Sequence, residues 1–191
     1  MIQTAIIQSP QGANPSSQLP LAISSAVEVP ALSSDFHVRV RVLTVALNPN
    51  DHKMMVHHPM PGNMTGCDFC GVVEVAGESS IHTPGTRVCG AVFPYKPDEP
   101  RSGAFAETVV ADSRLLIRVP STWTDLQGGA LGGVGWSTAC LAISHPEALG
   151  LEGLPSKPAE TSTPILVYGG ATATGTMACQ LLKLLVLRGT S

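Results

Sequence analysis

Ile165-Leu166-Val167-Tyr168-Gly169-Gly170-Ala171-Thr172-Ala173-Thr174-Gly175-Thr176 is the stretch on which the fold is decided. A short apolar run meets two glycines, and from Thr176 to Leu187 apolar residues recur at helical spacing, so the stretch predicts a strand, a tight turn and a helix. In such a βα unit, glycines let the chain turn sharply and pass close to a pyrophosphate. The N–H groups at the positive end of the helix then hold that pyrophosphate. Gly169, Gly170 and Gly175 suit this role, but the middle glycine of a G-x-G-x-x-G fingerprint is missing and Thr172, Ala173 and Thr174 occupy the turn. On the residues alone, a structural turn and a cofactor turn both fit.

Upstream, Leu149 to Thr163 is rich in Pro, Gly and Ser and reads as a connection between two structural units. Before it, Thr122 to Ala148 is rich in Ala, Gly and Leu, with Leu141, Ala142, Ile143 and Ala148 compatible with helical packing broken by glycines and Pro146. Nearer the N-terminus, Val38 to Leu47 (VRVRVLTVAL) alternates with period two and ends at Asn48-Pro49-Asn50-Asp51, which predicts a half-buried strand running into a turn. Further strands are expected over Gly71–Ala76, Thr86–Val92 and Phe105–Val110, each bounded by turn formers. Many short strands ahead of any clear helix predict a compact β-barrel or sandwich over roughly residues 1–120.

With 43% hydrophobic and 13% charged residues among 191, the chain has material for a core and does not read as disordered. A formal net charge of -3, with lysines and arginines scattered singly, leaves no electrostatic footprint for nucleic acid or an anionic membrane. Met1 to Ala13 lacks the basic start and long apolar run of a signal peptide, and no stretch approaches the roughly 20 apolar residues of a membrane span. A soluble, cytoplasmic protein is expected. The cysteines, Cys67, Cys70, Cys89, Cys140 and Cys179, are odd in number, which argues against a disulfide framework. Cys67 and Cys70 have zinc-finger spacing without a second pair downstream, so buried thiols are expected rather than a metal site. His52, His57 and His58 read as a polar loop.

Successive segments resemble the medium-chain dehydrogenase/reductase superfamily: Asn48-Pro49-Asn50-Asp51-His52-Lys53, Gly66-Cys67-Asp68-Phe69-Cys70-Gly71, Gly85-Thr86-Arg87-Val88, Gly103-Ala104-Phe105-Ala106-Glu107, Gly132-Gly133-Val134-Gly135-Trp136-Ser137-Thr138-Ala139 and Val167 to Thr174. Zinc alcohol dehydrogenases carry a cysteine ligand where this chain has Pro49-Asn50 and a His-Glu pair where it has Cys67-Asp68, so the resemblance is to the zinc-free branch. The wording of Tyr168 to Thr174, with Asn-Pro-x-Asp-x-Lys at Asn48 to Lys53, is similar to fungal trans-acting enoyl reductases of polyketide biosynthesis.

The resemblance implies an α+β chain: a GroES-like β-barrel catalytic domain over 1–125, an interdomain helix and loop over 126–163, and the first βα unit of an incomplete Rossmann domain over 164–191. It further implies NADPH as cofactor and no zinc. Asn50, Asp51, His52 and Lys53 would border the nicotinamide, and Ala171, Thr172, Ala173 and Thr174 would meet the phosphates. Thr138, Ala139, Cys140, Leu141, Ala142, Ile143, Ser144 and His145 would line the substrate channel. Lys53 and the Thr138 hydroxyl are the expected catalytic donors. The implied partner is a highly reducing polyketide synthase presenting an enoyl thioester on its carrier domain, with a monomeric reductase as in the closest subfamily. Each residue also has a plainer role: Asn48 to Asp51 as a turn, Lys53 as a solvated charge, Asp68 as a backbone acceptor inside the barrel, and Thr138 to His145 as helix packing. Quinone reduction without zinc, or binding to a synthase without turnover, would use the same motifs. A complete member continues into further strands, so the chain is expected to be C-terminally truncated. Leu181, Leu182, Leu185 and Leu187 should then lack the sheet they would cover.

Overall fold

The computed structural model describes residues 1–9, 19–153, 156, 157, 159 and 164–186. These form two compact units, Met1–Gly133 and Val134–Ser191.

The first unit is built on β3 (His37–Ala46). Its Val38 and Val40 are fully buried, while Arg39 and Arg41 on the other face approach Glu74. Around it lie β4 (Asp68–Ala76), β5 (Arg87–Ala91), β6 (Thr108–Asp112) and the two-residue β7 (Ile117–Arg118), in the antiparallel order β6-β3-β4-β5-β7. A separate two-stranded sheet, β1 (Ile2–Gln8) with β2 (Leu21–Glu28), is bridged by Ala5 to Ala106 and by Ile7 to Met64, residues outside the strands of the larger sheet. Val38, Val40, Phe69, Val73, Val88 and Val109 form one buried core. Each contributes roughly 1.5–3 kcal/mol of burial.

Three of the four sequence-read strands therefore fall nearly in place. The fourth begins at Thr108 rather than Phe105, because the preceding backbone is engaged elsewhere: Ile6 N–H donates to Phe105 O and Glu107 N–H donates to Thr4 O. The turn expected at Asn48–Asp51 is instead the start of a helix, α1 (Pro49–His57), so His52 and His57 are helical rather than part of a loop. Asn48 is its N-cap, Pro49 supplies the preset φ of the first helical position, and Asp51 accepts the Asn48 N–H. The short helix α2 (Asp125–Leu131) is capped by Thr124, whose hydroxyl accepts from Gln127 N–H. It packs into the first unit through Gly128 against Cys70 and Gly129 against Thr44, so this unit runs past the expected boundary at residue 125 to Gly133.

The second unit contains α3 (Val134–Ser144) and α4 (Ala173–Val186). No strand forms at Ile165–Tyr168, because a strand requires a hydrogen-bonded neighbour and the described residues supply none. Burial nonetheless alternates along the run: Ile165 and Val167 pack inward, while Leu166 and Tyr168 are 92% and 99% exposed. The helix starts at Ala173, three residues earlier than its periodicity suggested. Leu182 and Leu185 are not stranded as expected; with Ile143 they form a small core joined by Leu151, Ile165, Val167 and Leu181. Leu187 and much of the Leu149–Thr163 connection lie outside the described residues. Among the described residues, no helix is long and apolar enough to cross a membrane.

Candidate active site

The cap of α1 fixes the first half of the site. Asp51 is buried at the third helical position, where Oδ2 accepts the Asn48 N–H at 2.8 Å and Oδ1 lies 3.1 Å from the Tyr95 hydroxyl. Burial pushes the Cys67 thiol well up, with Asp51 adding to it, and burial followed by Asp51 does the same to the Tyr95 phenol. Both groups keep their protons at neutral pH. Cys67 is therefore neither a thiolate nucleophile nor a ready metal ligand.

Asp68 occupies a second buried position. Its Oδ2 accepts from the Asn48 side-chain amide at 2.9 Å, and its Oδ1 accepts from Gly133 N–H at 3.0 Å. Gly132 has φ 49, and a Cβ there would stand 2.5 Å from the Asp68 carboxyl carbon, so the residue must be glycine on two counts. Asp68 thus ties the entry of α1 to the end of α2, the backbone-binding role open to it in the sequence. Asn50 is half-buried beside the Cys67 thiol, whereas His52 and Lys53 on the same helix are exposed. Of the four residues expected at the nicotinamide, Asp51 is taken up by structure and Asn50 partly so. His52 and Lys53 remain available to a ligand.

In the second unit, the turn before α4 is held by Thr172. Its hydroxyl donates to Gly169 O at 2.9 Å and accepts from Gly175 N–H at 3.1 Å, the N-cap arrangement. Gly169 has φ 79, and a Cβ on Gly175 would meet Gly169 O at 2.3 Å, so the turn closes only without those side chains. The Ala173 and Thr174 N–H groups belong to the first helical turn, where an α-helix provides no internal acceptor. They point out of the positive end of the helix, as anion binding requires.

The run Thr138 to His145 divides by the helical period. Thr138, Leu141, Ala142 and His145 share an exposed face and Ser144 is also exposed. Cys140 is half-buried, while Ala139 and Ile143 are buried, with Ile143 in the α3–α4 core, so these two are packing residues. Among the described residues, no group of three or more His, Cys, Asp or Glu side chains is arranged to hold a metal. Tyr95 was not singled out in the sequence, because its partner lies 44 residues away and no local motif announces it.

Residues 34–121 match the alcohol dehydrogenase GroES-like domain. The trans-enoyl reductase calK of Penicillium decumbens is 52% identical over 194 residues, covering 96% of this chain and 52% of that protein. The trans-enoyl reductase sthE of Phaeosphaeria nodorum is 56% identical over 182 residues, covering 95% and 49%. The chain carries an alcohol dehydrogenase GroES-like domain. Along nearly its whole length it is similar in sequence to fungal trans-enoyl reductases, and it spans about half the length of the curated relatives it matches. Its fold is that of an alcohol dehydrogenase superfamily protein from Novosphingobium aromaticivorans, with a TM-score of 0.73 at 21% identity over 98% of this chain and 52% of that one.

Proposed function

We propose that this protein works as an NADPH-dependent trans-acting enoyl reductase that reduces α,β-unsaturated acyl thioesters held on the carrier domain of a polyketide synthase. The observation that carries this reading is the identity of 52 and 56% to trans-enoyl reductases, which extends over nearly the whole chain and so covers both the α1 segment and the Gly169–Gly175 turn. When bound, NADPH supplies the hydride that is delivered to the β-carbon of the substrate.

The chain's own residues do the rest. The Thr172-capped turn is suited to the pyrophosphate through the Ala173 and Thr174 N–H groups. Lys53, exposed on α1, and the Thr138 hydroxyl, exposed on α3, are each a donor of the kind needed by a thioester oxygen that gains negative charge as hydride arrives. Each such oriented donor contributes about 3–4 kcal/mol in enzymes where it has been removed. The exposed face of α3, with Thr138, Leu141, Ala142 and His145, is the part of the expected channel that can meet an acyl chain.

The reading dispenses with zinc. Asp68 is committed to Asn48 and Gly133, and Cys67 keeps its proton. Metal analysis of the purified protein should find no stoichiometric zinc; zinc that is lost on Cys67→Ser would overturn this part. The activity itself is tested by NADPH oxidation with an enoyl thioester and with a quinone, side by side, in protein extended to the length of its relatives. Thioester-dependent turnover supports the proposal. Turnover with the quinone alone assigns the site to quinone reduction, and cofactor binding without turnover on either substrate assigns it to a binding role.

A further inference from the structure

Two cysteines of the first unit face each other across the sheet. Cys70 on β4 and Cys89 on β5 are register partners in an antiparallel pair, and both are fully buried free thiols. The hydrogen-bond phase of this ladder is set at its ends, where Val73 N–H donates to Thr86 O at 2.9 Å and Val92 N–H donates to Cys67 O at 3.0 Å. Cys70 is three residues from each anchor, so Cys70 and Cys89 occupy a non-hydrogen-bonded pair. Directly opposed Cα atoms there approach to about 4.5 Å. That separation lies within the range of about 4.4–6.8 Å that a disulfide spans. Both side chains enter the same small cluster with Val119 beneath α2. Cys67 is an odd number of residues from Cys70 and takes the other face.

We propose that Cys70 and Cys89 are a modification site: a cross-strand disulfide that forms and breaks reversibly by exchange with a small-molecule disulfide such as oxidised glutathione. One thiolate attacks a sulfur of the reagent, forming a mixed disulfide and releasing one glutathione thiolate. The second thiolate then attacks the protein sulfur of that intermediate and displaces the other glutathione. The protein loses two thiol protons and two electrons, and the reagent gains them as two molecules of reduced glutathione.

The cover over the pair determines its rate. Burial pushes the Cys89 thiol up to about 12 and also raises Cys70, so the closed structure holds almost no thiolate. On its far side, β5 pairs with the two-residue β7, Val88 with Arg118 and Cys89 with Ile117, and packs against α2. Such a short strand opens at far lower cost than the whole sheet. Oxidation therefore proceeds through local opening and is accelerated by sub-denaturing urea.

The test uses the unmodified chain, incubated with oxidised glutathione with and without low urea, then alkylated and mapped by mass spectrometry. The expected result is a Cys70–Cys89 linked peptide, a loss of two alkylatable thiols, faster formation in urea and full reversal by dithiothreitol. Cys179→Ala should leave the link intact, while Cys89→Ala should abolish it. Separate alkylation of Cys70 and Cys89 after prolonged oxidation, stable glutathione adducts on either, or linkage of either to Cys67, Cys140 or Cys179 would overturn the proposal.

Discussion

Asp51 and Lys53 stand two residues apart on α1 and have opposite fates. Asp51 is buried and accepts from Asn48 and Tyr95, whereas Lys53 reaches solvent. Asp51→Ala should cost about 2–4 kcal/mol in denaturant unfolding, the sum of a lost cap and buried donors left unsatisfied. Lys53→Ala should change stability by less than about 0.5 kcal/mol. In protein of full family length, the same substitution should lower kcat about 100-fold or more. Unchanged turnover would return Lys53 to the role of a solvated charge. The buried thiols add a pH signature. Cys89 has a folded pKa of about 12 against an ordinary 9.0, and Cys67 is also raised, so the folded state holds these protons more tightly than the unfolded chain does. Their contribution is intact below about pH 9 and is lost progressively as pH rises toward 12. Unfolding midpoints measured from pH 7 upward should fall in that window. A flat profile to pH 11 would place these thiols in water.

Among the elements, the contrast between α1 and α4 shows what a sequence reveals. β3 was legible because Val38, Val40 and Val42 alternate with Arg39 and Arg41, and one face of the strand is buried. α1 was hidden because Asn, Pro and Asp form turns and helix starts alike, and only the Asn48–Asp51 pairing in three dimensions decides between them. The strand at Ile165–Tyr168 was read from a short apolar run ahead of two glycines, but strand formation depends on a neighbour that the local sequence does not encode. In the site, Asp68 and the glycine turn were visible as motifs. Tyr95 was not, nor was the division of α3 into an exposed and a buried face within a run read as one lining. At α4, Thr174→Asp should have two opposed effects. A carboxylate in the first turn favours the helix by a few tenths of a kcal/mol, while the same charge repels a pyrophosphate at that helix end. Thermal unfolding should be unchanged or slightly higher, and NADPH affinity in full-length protein should fall at least tenfold. Unaltered affinity would remove the turn from the cofactor site.

On the scale of the molecule, the chain consists of a GroES-like unit with a buried polar network around α1 and a helical unit with a capped, glycine-closed turn. The residues proposed to act fall in both units: His52 and Lys53 in the first, Thr138 and Ala171 to Thr174 in the second. This division explains why composition and periodicity identified the architecture readily while the chemistry depended on motifs spread over more than 120 residues of sequence. The most direct measurement of the central claim follows the hydride itself. Protein of full family length is supplied with NADPH deuterated at the transferring C4 position and a crotonyl thioester, and the product is analysed by mass spectrometry and NMR. The expected product is the saturated thioester with one deuterium on the β-carbon and a solvent-derived hydrogen on the α-carbon. A thioester recovered unreduced and unlabelled, while the same protein consumes the deuterated cofactor with a quinone, would contradict the assignment.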